Sequence, residues 1–212
     1  MFVRDCMTRD PVTIRPDGDP LAGVALLKCG DFRRLPVVDA EGRLVGIVTH
    51  TDLETFLSKA KSPGVLKRQH RVDQVMSREV VTVTPDCPLE EAASLMMEHK
   101  IGSLPVMEAG RIAGIITETD IFKQLATVLG GGTGSLRLTV QVPHVPGQLA
   151  ELAGRIAQVS GNISSVVAYR SDRPERVNIT LRVEGADRET VLRAISGQAE
   201  MEVLHVWGGE VA

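Results

Sequence analysis

The chain has 212 residues, with 24 Lys and Arg against 27 Asp and Glu and a formal net charge of -3. No whole-chain basic field exists to hold nucleic acid or an anionic membrane, and at roughly 100 to 200 residues per domain the length predicts one large or two to three small domains. Hydrophobic residues at 43% and charged residues at 24% are ordinary for a soluble globular protein, whereas aromatics at 3% are scarce, so the cores must be aliphatic.

In chain order, Met1 to Asp10 carries Arg4, Asp5, Arg9 and Asp10 and lacks the apolar segment of a secretory leader. No run of about 18 apolar residues follows it. Cys6, Cys29 and Cys87 are an odd number without C-x-x-C spacing, which argues against a disulfide framework or a structural zinc. A cytoplasmic protein with no membrane span is expected.

An internal repeat dominates the first 129 residues. Met7 to Asp17 (MTRDPVTIRPD) aligns with Met76 to Asp86 (MSREVVTVTPD) at an offset of 69, and Leu35-Pro36-Val37 with Leu104-Pro105-Val106 at the same offset. Gly46 to Leu53 (GIVTHTDL) then aligns with Gly114 to Ile121 (GIITETDI) at an offset of 68. Each copy predicts an extended Val-Thr-Ile or Val-Thr-Val stretch, a Pro-Asp turn and a helix opened by Pro20 or Pro88, proline being favoured at the first helical position. Leu89, Ala92, Ala93 and Met96 form one apolar stripe at helical spacing. Leu35 to Val38 and Leu44 to Val48 read as a hairpin around Asp39 to Gly42, and a second helix begins near Asp52. The unit is β-α-β-β-α. At under 70 residues one copy would bury a thin core, so two copies packed together are expected.

Gly130 to Ser135 (GGGTGS) breaks the periodicity and reads as a flexible linker. The competing reading, a phosphate-cradling loop, lacks the preceding strand and the Gly-Lys-Ser/Thr ending that such loops need. Beyond it, Leu136, Leu138, Val140 and Val142 alternate as a half-buried strand. Leu149, Leu152, Ile156 and Val159 mark a helix closed by a C′ glycine, Gly161. Asn162 to Arg170 and Arg176 to Val183 read as strands, Asp187 to Ser196 as a helix with Asp187 as N-cap, and Met201 to Trp207 as a last strand. The order β-α-β-β-α-β is ferredoxin-like, and the fold class is mixed α+β.

Gly46 to Leu53 and Gly114 to Ile121 both fit Gly-h-h-Thr-x-x-Asp-h (h apolar), and in a matched repeat they resemble a tandem pair of CBS domains. The third unit, with Pro146-Gly147-Gln148-Leu149 entering its helix and Gly161-Asn162-Ile163 opening its second strand, is similar to an ACT domain. The resemblance divides the chain into residues 1–61, 62–129, a linker over 130–135, and 136–209. CBS, CBS, ACT in this length is similar to the acetoin-utilisation protein B family.

The resemblance implies adenine-nucleotide binding (ATP, ADP, AMP or S-adenosylmethionine) in clefts between the copies. An Asp at a helix start can accept hydrogen bonds from ribose hydroxyls, and a Thr three residues earlier can donate to a phosphate. These pairs are Asp52 with Thr49 and Asp120 with Thr117, against the alternative that they only cap helices and fill strands. The family pattern adds Pro11, Val12, Phe32, Arg33 and Arg34 to the Asp120 cleft, and Val80, Val81, Ile101, Gly102 and Ser103 to the Asp52 cleft. On that assignment the Asp120 cleft is the more cationic and prefers more highly phosphorylated ligands. The Asp52 cleft, beside His50, suits less charged ones, and Glu118 invites a magnesium ion to bridge it to phosphates. His144, Gly147, Gln148 and Asn162 match the positions at which ACT domains take up a small effector, commonly an amino acid, at a dimer interface.

Catalysis has little support: the five histidines are scattered, no G-x-S-x-G or H-E-x-x-H occurs, and both Cys29 and Met96-Met97 read as core rather than as a nucleophile or metal site. The expectation is a non-enzymatic regulatory homodimer sensing an adenine nucleotide, with a regulated enzyme as a further partner. The alternative is a constitutive scaffold whose pockets are vestigial.

Overall fold

The computed structural model describes residues 1–60, 70–132, 134–196 and 200–208. The expected division at residues 61 and 62, Thr133 of the glycine run and residue 209 lie outside the described residues. The chain forms two compact units, Met1–Phe122 and Lys123–Ala212.

In the first unit, a short 3-10 turn at Val3–Asp5 leads to β1 (Thr8–Arg9), α1 (Pro20–Gly30), the hairpin β2 (Arg34–Val38) and β3 (Leu44–Thr49), and α2 (His50–Ala60). The second copy repeats the series with a 3-10 turn at Val72–Gln74, α3 (Leu89–His99), β4 (Ser103–Glu108), β5 (Arg111–Thr117) and α4 (Glu118–Val128), whose residues from Lys123 onward belong to the second unit. Pro20 is the first residue of α1, with Asp19 capping it through the Leu21 N–H at 2.9 Å. Pro88 stands one position earlier than expected, as the N-cap of α3, because it is drawn into a bridge with Phe2. The extended Val-Thr-Ile and Val-Thr-Val stretches contribute single bridges, Ile14 to Val37 and Val83 to Val106, rather than strands. Leu89, Ala92 and Met96 are buried with Ala93 packed beside them, whereas Met97 is 72% exposed, since the next helical position points away from the stripe. Cys29 is likewise exposed rather than core.

The repeat conceals an exchange. The segment leading into copy one belongs spatially to copy two: Thr8 and Arg9 pair with Ile115 and Gly114 of β5, the Val3 N–H donates to the Cys87 carbonyl at 2.9 Å, and Arg4 pairs with Asp86. Val3, fully buried, sits among Leu89, Ala92, Met96, Leu104, Val106 and Ile116. The equivalent segment of copy two mirrors this, Ser77 bridging Ile47 of β3 while Val72 and Met76 join Leu27, Leu35, Val37, Val48 and Leu53. Such reciprocal lending completes two cores too thin to stand alone. It also explains the glycine of each Gly-h-h-Thr-x-x-Asp. A Cβ at Gly46 would lie 2.9 Å from the Ser77 carbonyl oxygen, and one at Gly114 2.8 Å from that of Thr8, where the lent backbone passes.

The second unit contains β6 (Leu136–Pro143), α5 (Gln148–Gln158), β7 (Asn162–Arg170), β8 (Arg176–Glu184), α6 (Arg188–Ser196) and β9 (Glu202–Trp207). Its antiparallel sheet has the order β7-β8-β6-β9, the ferredoxin-like arrangement. Leu138, Val140, Ile179 and Leu181 face Leu152, Ile156, Val191 and Ile195 of the two helices. Asp187 caps α6, its Oδ1 accepting from the Thr190 N–H at 2.9 Å.

The glycine run begins as a helix stop rather than as free chain. Gly131 donates to Ala126 O at 2.7 Å and Gly130, at φ 67°, to Thr127 O at 2.9 Å, the six-to-one and five-to-two bonds of a Schellman motif. The same motif ends α5, but its left-handed residue is Ser160 (φ 60°), not Gly161. Gly161 is needed for space, since a Cβ there would meet Ile156 Cγ2 at 2.7 Å and Val183 Cγ1 at 2.9 Å. We therefore expect Gly161→Ala to destabilise the protein by about 1–3 kcal/mol through overpacking. Ser160→Gly should stabilise it by up to about 1 kcal/mol by relieving the left-handed backbone. Chemical denaturation checks both signs.

Candidate functional site

Each Thr-x-x-Asp straddles a strand end and a helix start. Thr49 is the last residue of β3 and Thr117 of β5, and both helices begin at the next residue, two positions before the Asp and so near it as expected. The Thr49 N–H and hydroxyl donate to Asp52 Oδ2 at 3.0 and 2.6 Å, and the Asp52 N–H donates back to Thr49 Oγ1 at 3.2 Å. In the second copy the same three bonds measure 2.9, 2.7 and 3.3 Å. This reciprocal pattern is a capping box. It places the Asp at the positive end of the helix dipole, where a carboxylate is favoured. It also commits the Thr hydroxyl proton to the Asp, so a phosphate must displace that bond to use it. No hydrogen bond among the described residues reaches Oδ1 of either Asp, which leaves one carboxylate oxygen per copy for a ligand hydroxyl.

Pro11, Val12, Val80 and Val81 lie on the stretches that cross between copies. Thr8 is held by copy two and Ile14 by copy one, while Ser77 is held by copy one and Val83 by copy two. Val12 is 41% exposed, and Pro11, Val80 and Val81 are half-buried.

The backbone of the residues before Leu-Pro is placed by each copy's own hairpin. Arg34 pairs in register with Thr49 and the His50 N–H donates to the Arg33 carbonyl at 3.0 Å, so the backbone of both arginines runs beside the start of α2 in their own copy. Ser103 pairs with Thr117, and the Glu118 N–H donates to the Gly102 carbonyl at 3.2 Å, which sets both beside Asp120. The hairpin register decides this, because each copy's own strand pair brings the two segments side by side. Phe32 and Ile101, one residue earlier in each copy, differ in burial, Phe32 being 42% exposed and Ile101 packed on its core.

Arg34 also reaches toward the other copy. A Cβ on Gly102 would lie 2.9 Å from Glu118 Oε2 and 3.1 Å from Arg34 Nη2, so the guanidinium and the carboxylate flank that glycine from opposite copies. Burial pulls the Arg34 guanidinium below its ordinary pKa; Glu118 and Asp52 offset this only in part, and Arg33 adds to it. Arg34 has no ion pair or side-chain hydrogen bond among the described residues. A half-buried guanidinium keeps donors that a carboxylate or phosphate oxygen fits. The Ser103 hydroxyl, on the Asp120 side, is 2% exposed and has no hydrogen-bond partner among the described residues. Composition and periodicity give no signal for it. Cys6, on the segment lent to copy two, has its thiol pKa pushed up by burial and by the Asp120 and Asp5 carboxylates.

In the second unit, His144 is exposed and its backbone N–H donates to the Glu175 carbonyl at 2.8 Å. Gly147 caps α5 at φ 94°, Gln148 opens that helix with its Oε1 buried and unpartnered, and Asn162 opens β7, exposed and opposite Glu184. No hydrogen bond among the described residues joins the side chains of His144, Gln148 and Asn162. Nor do the described residues contain a group of three or more His, Cys, Asp or Glu able to hold a metal ion.

Over residues 3–59 and 72–127, together just over half the chain, the sequence matches the CBS domain family, and over residues 134–207 the TTHA0829-like ACT domain. It is 38% identical over 134 residues to the uncharacterized protein MJ1225 of Methanocaldococcus jannaschii, a match covering 58% of this chain and 47% of that protein. The chain thus spans about half the length of that relative. Among solved structures, an AcuB protein of Vibrio cholerae, described as an acetoin utilization protein, is 33% identical with a TM-score of 0.55, over 61% of this chain and 93% of that one. The CBS domain pair of protein MJ0100, in complex with 5-methylthioadenosine and S-adenosyl-L-methionine, is 27% identical with a TM-score of 0.52, over 60% and 97%. CBSX2 in complex with AMP is 27% identical with a TM-score of 0.54, over the same shares. With both copies of the repeat and the C-terminal unit matched, the chain belongs to the CBS-domain family, carrying a CBS pair followed by a TTHA0829-like ACT domain.

Proposed function

We propose that this protein is a non-enzymatic regulator that binds an adenine nucleotide at Asp52 with Thr49, and at Asp120 with Thr117. The carrying observation is that both copies leave an Asp Oδ1 unpaired at a helix N-terminus beside segments that cross between copies. Two structurally similar CBS pairs hold adenosine compounds, AMP in one and 5-methylthioadenosine with S-adenosyl-L-methionine in the other.

The charges divide the two sites. Arg33, His50 and the backbone of Arg34 lie on the Asp52 side and favour a phosphorylated nucleotide there, with the Arg34 guanidinium extending toward Gly102; Glu118 and Ser103 on the Asp120 side favour a less charged nucleoside, or a phosphate bridged by magnesium. The sense is opposite to that expected when the arginines are assigned to Asp120. Pro11, Val12, Val80, Val81 and Gly102 supply backbone and apolar surface.

The ACT unit serves self-association. Its sheet ends in the edge strands β7 and β9, which display Val166, Tyr169, Leu204 and Trp207 at 45–67% exposure, and an unprotected edge is a pairing template. An amino acid at His144, Gly147, Gln148 and Asn162 would give the buried Gln148 oxygen a donor. No helix among the described residues is long and apolar enough to cross a membrane.

A second reading, a scaffold whose Thr and Asp act only as caps, draws on the completeness of the capping boxes. A thermal-shift screen separates the two, because a ligand that binds only the folded state stabilises it by RT ln(1 + [L]/Kd). AMP, ATP or S-adenosylmethionine at 100 Kd should raise stability by about 2.7 kcal/mol. No shift with any adenosine compound at millimolar concentration leaves the scaffold.

A further inference from the structure

The second unit contains a cavity apart from the ACT effector positions. Its volume is about 290 Å³, small for a ligand site. Ala126, Leu129 and Gly131, at the C-terminal end of α4 and its glycine stop, form one wall; the other is the sheet face opposite the hydrophobic core, with Arg137, Val167 and Arg182. Ser165 and Thr180 add hydroxyls.

The cations in this cavity are arranged at a cost. Arg137 and Arg182 are direct cross-strand partners between β6 and β8, and like charges placed opposite one another destabilise a sheet. No carboxylate lies within ion-pair distance of either among the described residues. Arg182 is tied down, its Nε donating to the Leu129 carbonyl at 2.7 Å and its Nη1 to Ser135 Oγ at 3.3 Å. Arg137, half-buried, makes no side-chain hydrogen bond among the described residues. Ala126, Leu129 and Val167 give the same space apolar walls.

We propose that this cavity binds a small organic anion, a carboxylate carrying a short apolar tail, with the carboxylate between Arg137 and Arg182 and the tail against Ala126, Leu129 and Val167. The anion removes the Arg137–Arg182 repulsion, and a guanidinium fork matches a carboxylate bidentately. The site is independent of the nucleotide sites and does not rest on the function proposed for them.

Calorimetry on the full-length protein tests it, with acetate, butyrate, hexanoate, hexanol and inorganic phosphate as probes. Affinity should rise about fourfold per methylene along the carboxylate series until the cavity is filled. Arg137→Met should weaken hexanoate at least tenfold, and since Arg137 holds no other group in place the variant should fold as wild type does. Val167→Phe, which fills the cavity and leaves both charges, should also abolish hexanoate binding. Hexanol binding as tightly as hexanoate, phosphate matching hexanoate, affinity unchanged in Arg137→Met, or no carboxylate binding at 10 mM would each overturn the proposal.

Discussion

Replacing Val3 by Asp should loosen the second CBS copy and leave the first largely intact, although Val3 precedes the first copy in sequence. The side chain is fully buried in the core built on α3, β4 and β5. An unpaired carboxylate there costs more than about 4 kcal/mol, a large part of the 5–15 kcal/mol that ordinarily holds a domain together. Val3→Ala removes two methyl groups and should cost about 2 kcal/mol. Val72→Asp is the mirror experiment, since Val72 is fully buried against Leu27, Leu35 and Val48. Hydrogen exchange localises the damage: Val3→Asp should open the amides of β4 and β5 first, and Val72→Asp those of β2 and β3. The reverse pattern would mean that each copy keeps its own lead-in segment.

Arg34→Ala should weaken a phosphorylated nucleotide at the Asp52 site about 10- to 150-fold, from the 1.5–3 kcal/mol that a hydrogen bond to a charged group contributes. A ligand without phosphate, such as 5-methylthioadenosine, should lose little there. The Asp120 site should change less for either ligand if the backbone register of Arg34 with Thr49 decides which site its charge serves. Raising the salt should mimic the variant only weakly, since a partly buried charge pair is screened much less than an exposed one. Equal loss for both ligands would make Arg34 a structural residue. Loss confined to the Asp120 site would restore the assignment drawn from the family pattern.

Much of this architecture was legible in the sequence because it is written in local patterns. Apolar runs around a turn marked the hairpin, alternation marked β6, helical spacing marked α3 and α5, and the duplicated Gly-h-h-Thr-x-x-Asp marked both helix starts. The exchange of lead-in segments was not legible. A repeat reads identically whether each copy keeps its own Val-x-x-x-Met or lends it to its twin, and only the pairing of Thr8 with Ile115 and of Ser77 with Ile47 decides. The reach of Arg34 is hidden for a related reason: a sequence gives the order of segments but not which copy's residues a side chain faces, and the Arg34 guanidinium lies by Gly102 of the other copy. At Gly161 the residue was singled out for the wrong physical cause, since two glycine requirements, left-handed backbone and lack of space, look alike in a sequence.

Nucleotide binding through the duplicated Asp is tested most directly by calorimetric titration of AMP, ATP, S-adenosylmethionine and 5-methylthioadenosine into wild type, Asp52→Ala and Asp120→Ala. Each variant also loses a cap, at about 1 kcal/mol, which circular dichroism should show to be tolerated. Wild type should bind at two sites, and each variant should weaken one of them about 5- to 150-fold, the effect of leaving a buried ribose hydroxyl without its acceptor. No heat from any of the four at millimolar concentration, or wild-type affinity in both variants, would contradict the account and reduce Asp52 and Asp120 to helix caps.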